Sequence, residues 1–258
     1  MTSISPLFLL HTQPDARLLA AWVARHHARH ARQSADLGDA FHGLFRAAFG
    51  SFAPQPFRYL DERRGLLAYT RLDLRAMAEQ VALADPQAAQ TLGLGASAEH
   101  GGYRLRPFPS EWAVGQELGF EVRVRPTVRG PQGEQDVFLR AVARVGGAEG
   151  ESVERRAIYA QWLFEHLSER EGVMHQPWQG AVELLDVQLN AFTRSKVVRR
   201  TQASEGQDRK GKVVDGPDAT LVGRLRVINS VAFAHLLARG IGRHRAFGFG
   251  MLLLHRVN

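Results

Sequence analysis

Two periodicities alternate along the chain. In 118–126, Leu118, Phe120, Val122 and Val124 alternate with Gly119, Glu121, Arg123 and Arg125, and in 219–228 Leu221, Gly223, Leu225 and Val227 alternate with Thr220, Val222, Arg224 and Arg226. Period two marks strands with one buried face. In 37–48 the apolar residues Leu37, Ala40, Phe41, Leu44, Phe45 and Ala48 recur instead at helical spacing, the stripe of an amphipathic helix. In chain order, 4–11 predicts a strand and 16–32 a helix on Leu19, Trp22, Val23 and His26. The second helix follows a break at Ser34 to Gly38. Pro56–Leu60 and Gly65–Thr70 predict a hairpin around Asp61–Arg64, 73–83 a short helix, and 84–110 a loose connection closing with a strand at 103–107.

The second half predicts the same order. Strand 118–126 opens it, the polar stretch 127–151 reads as a connection with a mobile tip, and 155–170 as a helix on Tyr159, Trp162, Leu163, His166 and Leu167. A long strand over 182–198 returns from Lys212 onward. A helix then starts at Ser230 as N-cap and stops at Gly240, and Met251–Leu254 is a buried strand. The fold class is α+β: two tandem ferredoxin-like (βαββαβ) domains, 1–110 and 111–258.

Between the last helix and strand lies Gly240-Ile241-Gly242-Arg243-His244-Arg245-Ala246-Phe247-Gly248-Phe249-Gly250. A dinucleotide fingerprint leaves a strand and opens a helix; this loop leaves a helix and opens a strand. Its glycine spacing also fails the P-loop. What remains is a backbone free to approach another backbone closely, with Arg243, His244 and Arg245 at its tip, or a plain turn carrying solvated charges.

With 258 residues the chain can bury an ample core. A formal net charge of +7 points to a polyanionic partner, nucleic acid first. The absence of cysteine excludes disulfides, zinc ribbons and a thiol nucleophile. No apolar run is long enough to span a membrane, and the first ten residues lack the charged region of a signal peptide, so a soluble cytoplasmic protein with no membrane partner is expected. His26 and His30 have i,i+4 spacing but no accompanying carboxylate, so no metal and no cofactor are expected; a basic stripe facing solvent or RNA is the alternative. His42 lies about 100° round the helix from Phe41, at the margin of the apolar face. There it is both positioned and reachable; a satisfied structural histidine is the other reading. Around the turn after 182–198 lie Arg194, Lys196, Arg199, Arg200, Arg209, Lys210 and Lys212, against only Glu205 and Asp208. Such a hairpin suits a duplex backbone or groove, or is a solvated basic loop. Arg123 and Arg125 share one strand face and could line a phosphate track or be surface charges.

The run from Leu236 to Leu253, with its R-G-I-G-x-x-R-A-x-G-x-G core, resembles the C-terminal signature of the repeat-associated RAMP proteins of CRISPR systems. It is most similar to the CasE (Cse-type) branch, the pre-crRNA endoribonucleases of type I-E Cascade. Asp39-Ala40-Phe41-His42-Gly43-Leu44 aligns with that family's Tyr-x-x-His-Arg-x-Leu motif, which implies that His42 is catalytic. Asp39 and Gly43 depart from it, removing a proton-transfer partner and a phosphate clamp. Arg46, one turn on, could supply a displaced phosphate contact. Leu118–Pro126 resembles the family's F-R-L-R-A-N-P strand, and the basic hairpin stands where the family grips an RNA stem. The resemblance implies a metal-independent endoribonuclease acting on the repeat stem-loop of pre-crRNA and staying on it in Cascade, against a neighbouring backbone subunit. The site expected is His42 and Lys196 for catalysis, with Arg46, Arg123, Arg125, Arg194, Arg199, Arg200, Arg209, Lys210, Lys212, Arg243, His244 and Arg245 on RNA. The alternative is a non-catalytic subunit that caps the guide RNA hairpin.

Overall fold

In the computed structural model, residues 6–26, 37–95, 102–130, 133–145, 153–168, 176–200 and 211–257 are described. The first half runs β1 (Phe8–Thr12), α1 (Ala16–His26), α2 (Gly38–Phe49), β2 (Phe57–Asp61), β3 (Gly65–Thr70), α3 (Leu74–Leu83), α4 (Pro86–Leu92) and β4 (Arg104–Pro107). Its four strands form one sheet in the order β2-β3-β1-β4, with every neighbouring pair antiparallel. The stripe predicted for α2 is the buried one: Ala40, Phe41, Leu44, Phe45 and Ala48 all face the core. The connection expected over 84–110 contains a helix, α4, that its short length hid. Its punctuation was present, however: Asp85 caps Ala88 N–H, Pro86 opens the first turn, and Gly93 closes it at φ +71°.

The second half runs β5 (Glu117–Val124), β6 (Thr127–Gly130), β7 (Gly133–Asp136), α5 (Val137–Val145), α6 (Arg155–Leu167), β8 (Val182–Arg200), β9 (Gly211–Val227), α7 (Ser230–Arg239) and β10 (Leu252–Arg256). Its main sheet has the order β10-β5-β9-β8, the same arrangement as the first with each strand in the equivalent place. Two antiparallel ferredoxin-like halves therefore follow one another, as the order of elements predicts. The polar stretch 127–151 is more ordered than expected, since its described part forms the β6–β7 hairpin and α5. The N-cap of α7 is Asn229, whose side chain accepts from Ala232 N–H, while Ser230 Oγ accepts from Trp112 N–H instead.

β8 and β9 are 19 and 17 residues long, well beyond ordinary strands. β9 pairs with β5 only from Ala219 onward. Beyond that point the pairs Thr193↔Asp218 to Arg200↔Gly211 form a two-stranded ribbon projecting from the sheet.

The halves are joined through apolar and polar contacts. Leu7, Leu9 and Tyr69 of the first half belong to the core of the second. The buried Tyr69 hydroxyl donates to Leu252 C=O at 3.0 Å, and burial raises its pKa far above a phenol's ordinary value. Arg58 meets Glu121 at 3.4 Å across the same junction. Among the described residues no helix is long and apolar enough to cross a membrane.

Candidate functional site

The glycine-rich loop is folded by its glycines. Gly240, Gly242, Gly248 and Gly250 have φ of +76°, +74°, +84° and +79°, values that side chains with a Cβ resist. Gly250 accepts from Ile241 N–H at 2.8 Å and donates to Arg123 C=O at 2.7 Å; a Cβ on Gly250 would collide with Ile241 C=O. Gly242 N–H donates at 3.2 Å to Nε2 of His166, whose ring lies stacked between Trp162 and Trp178. Between these anchors the chain makes one 3-10 turn, Arg245–Phe247, entered through His244 at φ +60°.

The tip of this loop is held by a residue that sequence reading did not single out. Glu134 on β7 takes Arg243 Nη1 at 3.1 Å and His244 Nε2 at 2.7 Å on its two oxygens. His244 and Glu134 side chains are 3% and 8% exposed. The hydrogen bond from His244 holds the Glu134 carboxyl down at about 2, helped by both cationic neighbours and opposed by burial. Two residues along β7, on the same face, Asp136 accepts from Tyr159 OH and pairs with Arg155. β7 thus ties α6 to the glycine loop. The sequence holds no local signal for Glu134, because its partners lie 109 and 110 positions away.

His42 sits half-buried on α2, and α2 packs against both the 245–247 turn and β8. Its imidazole lies 4.9 Å from the Phe247 ring, centre to centre. Beside it opens a cleft of about 100 Å³ lined by Arg46, Ser51, Gln55, Phe57 and Ala246, among others. Arg46 is exposed, and its Nη1 donates to Gly50 C=O at 2.8 Å, closing the end of α2. The domain junction therefore brings His42, Arg46 and the glycine loop together. His26 stacks on Trp22, whereas His30 lies outside the described residues.

The expected RNA cations divide into two groups. Arg123 is turned inward: its guanidinium grips both oxygens of Asp218 and covers the Phe249 ring at 4.3 Å. Arg125 is 1% exposed and donates from Nη2 to Ser195 C=O at 3.1 Å and Val214 C=O at 3.2 Å. These two carbonyls belong to opposite strands of the ribbon, so Arg125 anchors its base. Arg125 is therefore buried, whereas Arg123 is half-buried, with 19% of its side chain exposed while it pairs with Asp218. A polar-looking alternation concealed this, because Asp218 and the ribbon reach them only in the folded sheet. Arg194 and Lys196 are exposed, two residues apart on one face of the ribbon, and Arg194 pairs with Asp215 at 3.4 Å. Arg199, Arg200 and Lys212 continue the ribbon's register. Arg209 and Lys210 lie outside the described residues. Arg243 is exposed beside Glu134, whereas Arg245 is half-buried and donates to Arg239 C=O at 2.8 Å.

Fold and site together define a class: an α+β protein of two ferredoxin-like halves, with a histidine cleft at their junction and a projecting basic ribbon. The chain belongs to the family of CRISPR-associated proteins, whose model matches residues 18–256. Solved structures of similar fold include CRISPR endoribonuclease Cse3 bound to 19-nt RNA, at 18% identity and a TM-score of 0.57, covering 96% of this chain and 99% of that one. Thermus thermophilus Cse3 bound to an RNA representing a pre-cleavage complex aligns at 16% identity and a TM-score of 0.55, over 97% and 99% of the two chains. A CRISPR-associated protein from Thermus thermophilus aligns at 16% identity and a TM-score of 0.51, over the same shares. At such identities the likeness is one of fold. No curated protein matches this sequence.

Proposed function

We propose that this protein is the endoribonuclease that binds the repeat stem-loop of pre-crRNA, cleaves it without a metal, and stays on the resulting hairpin as a Cascade subunit. The observation that carries the reading is the meeting at one junction of His42, the glycine loop and the strand that becomes the basic ribbon. RNA supplies the nucleophile in this chemistry. A base takes the 2′-OH proton, the 2′ oxygen bonds to the adjacent phosphorus, and the P–O5′ bond breaks as an acid protonates the leaving oxygen. The products are a 2′,3′-cyclic phosphate and a 5′-hydroxyl. A histidine near neutral pH serves either proton transfer, and His42 is the residue at the cleft. Lys196 is assigned to the charge that grows on the phosphate, where a fixed cation contributes most. In-line positioning by the bound stem contributes the rest. The cleft is small beside the ~300 Å³ of an ordinary ligand pocket, so RNA lies across it rather than inside it.

Arg194, Arg199, Arg200 and Lys212 are assigned to the phosphate backbone of the stem, which an A-form helix presents beside its wide, shallow minor groove. Family membership and the fold of RNA-bound Cse3 support the assignment. A second reading, a subunit that caps the guide hairpin without cutting it, is favoured by Asp39 and Gly43 in place of the motif's tyrosine and arginine.

The test is cleavage of the cognate repeat RNA in EDTA by wild type and His42→Ala, with binding measured on an uncleavable 2′-deoxy RNA. Cutting by wild type, and a loss of about 10²-fold or more at unchanged affinity in the variant, is the expected result. Equal cutting by both removes His42 from the mechanism. Tight binding without cutting by either establishes the capping subunit.

A further inference from the structure

Sharing segment 51–55 with the His42 cleft is a second, larger one of about 340 Å³, lined by residues of both halves of the chain. Ser51, Ala53, Pro54 and Gln55 line both clefts, and consecutive residues of the glycine loop divide between them, Arg245 facing the larger and Ala246 the smaller. The larger cleft also receives Arg239, the last residue of α7. Arg239 is half-buried, with its guanidinium 4.2 Å over the Trp178 ring and Nη1 on Gly240 C=O. Burial and the like charge of Arg245 bring its pKa down to about 10, and burial lowers that of Arg245 too.

Among the described residues no carboxylate forms an ion pair with either arginine. Their described hydrogen bonds run to two backbone carbonyls, Gly240 C=O and Arg239 C=O. Each guanidinium carries five N–H donors, so both keep donors for a further acceptor. Two like charges held together in a half-buried site are unfavourable until an anion joins them. Rigid positioning of both, one by stacking on Trp178 and one by the 3-10 turn, removes much of the ordering cost of binding one.

We propose that Arg239 and Arg245 form a phosphate-binding subsite, filled by a backbone phosphodiester of the single-stranded RNA that flanks the stem-loop. The choice of RNA as the source rests on the function proposed above and on the wall shared with the His42 cleft, across which a strand leaving the scissile bond would pass. Guanidinium forks match a phosphate's oxygens in pairs, and the 340 Å³ cleft accommodates a phosphate with part of its sugar.

The experiment compares three RNAs in 2′-deoxy uncleavable form: the bare stem-loop, the stem-loop with a six-nucleotide 5′ flank, and the same with a 3′ flank. Wild type, Arg239→Gln, Arg245→Gln and Arg245→Lys are each titrated at several salt concentrations. Binding of the bare stem-loop by wild type tests the functional reading, and thermal midpoints within a few degrees of wild type show that the variants fold. One flank is expected to tighten wild-type binding by about tenfold or more. Either Gln variant should abolish that increment and flatten the salt dependence, by about 0.7 in log–log slope for each phosphate no longer held. Arg245→Lys, which keeps the charge, should retain part of it. The proposal is overturned if neither flank adds affinity, or if the increment survives in both Gln variants. Stabilisation of wild type alone by inorganic phosphate, without a flank effect, would assign the subsite to free phosphate. Loss of assembly with neighbouring subunits in the Gln variants, again without a flank effect, would assign it to a protein carboxylate.

Discussion

The imidazole of His42 and the ring of Phe247 stand 4.9 Å apart, and through them a helix of the first half rests on the glycine loop of the second. That loop is itself fixed by Glu134, His166 and the backbone of Arg123. The place of the ring that His42 meets is thereby set by residues of β5, β7 and α6.

Phe247→Ala removes the ring against which His42 rests while leaving the ribbon untouched. Single-turnover cleavage should fall about tenfold or more, because misplaced acid–base groups lose rate steeply. Affinity for the stem-loop should stay within about twofold. A parallel loss of affinity would show that Phe247 contacts RNA rather than positioning His42.

Glu134 gives a pH signature. Its carboxyl is depressed from an ordinary value near 4.5 to about 2, chiefly by the hydrogen bond from His244. A carboxylate with a lowered folded-state pKa contributes stability that is fully present above its unfolded value and is lost as pH falls through the folded one. Glu134→Gln should therefore lower the thermal midpoint at pH 6, by a few degrees for a chain of this size. The gap to wild type should narrow as pH drops from about 4.5 towards 2. A gap constant over that window would mean that the ion pair adds nothing to stability.

The cations can be told apart by which quantity each moves. Asp218→Asn breaks the buried pair with Arg123, and should cost about 3 kcal/mol in urea unfolding without altering the salt dependence of RNA binding. Arg194→Ala and Lys196→Ala should do the reverse, each reducing the salt slope by about one and leaving stability within ~0.5 kcal/mol. If Asp218→Asn instead changes the salt slope and not the stability, Arg123 faces RNA in the complex.

Much of this organisation is determined by the sequence alone. The alternation of Leu118 to Val124 and the helical stripe from Ala40 to Ala48 depend only on which side of an element faces water, so they reveal strands, helices and their order. The four glycines between Gly240 and Gly250 likewise announce left-handed backbone, since the steric rule is local. His42 is legible as a residue at the edge of an apolar face. Short pieces such as α4, β6 and β7 were not, because a few residues carry too little periodicity; α5 carries a clear apolar stripe broken only by Arg140 and Arg144, and is hidden by the polar segments on either side of it.

Only the tertiary structure decides what each charge does. Arg123 and Arg194 look alike in sequence, yet Asp218 lies 95 positions from Arg123 and meets it only when β5 and β9 pair. His244 reads as a loop-tip cation until β7 places Glu134 against it. Arg239 and Arg245 share a cleft only because the first half of the chain closes over α7. Charges act through distance in space and through the water around them, and spacing along the chain fixes neither until the sheet registers bring distant segments together.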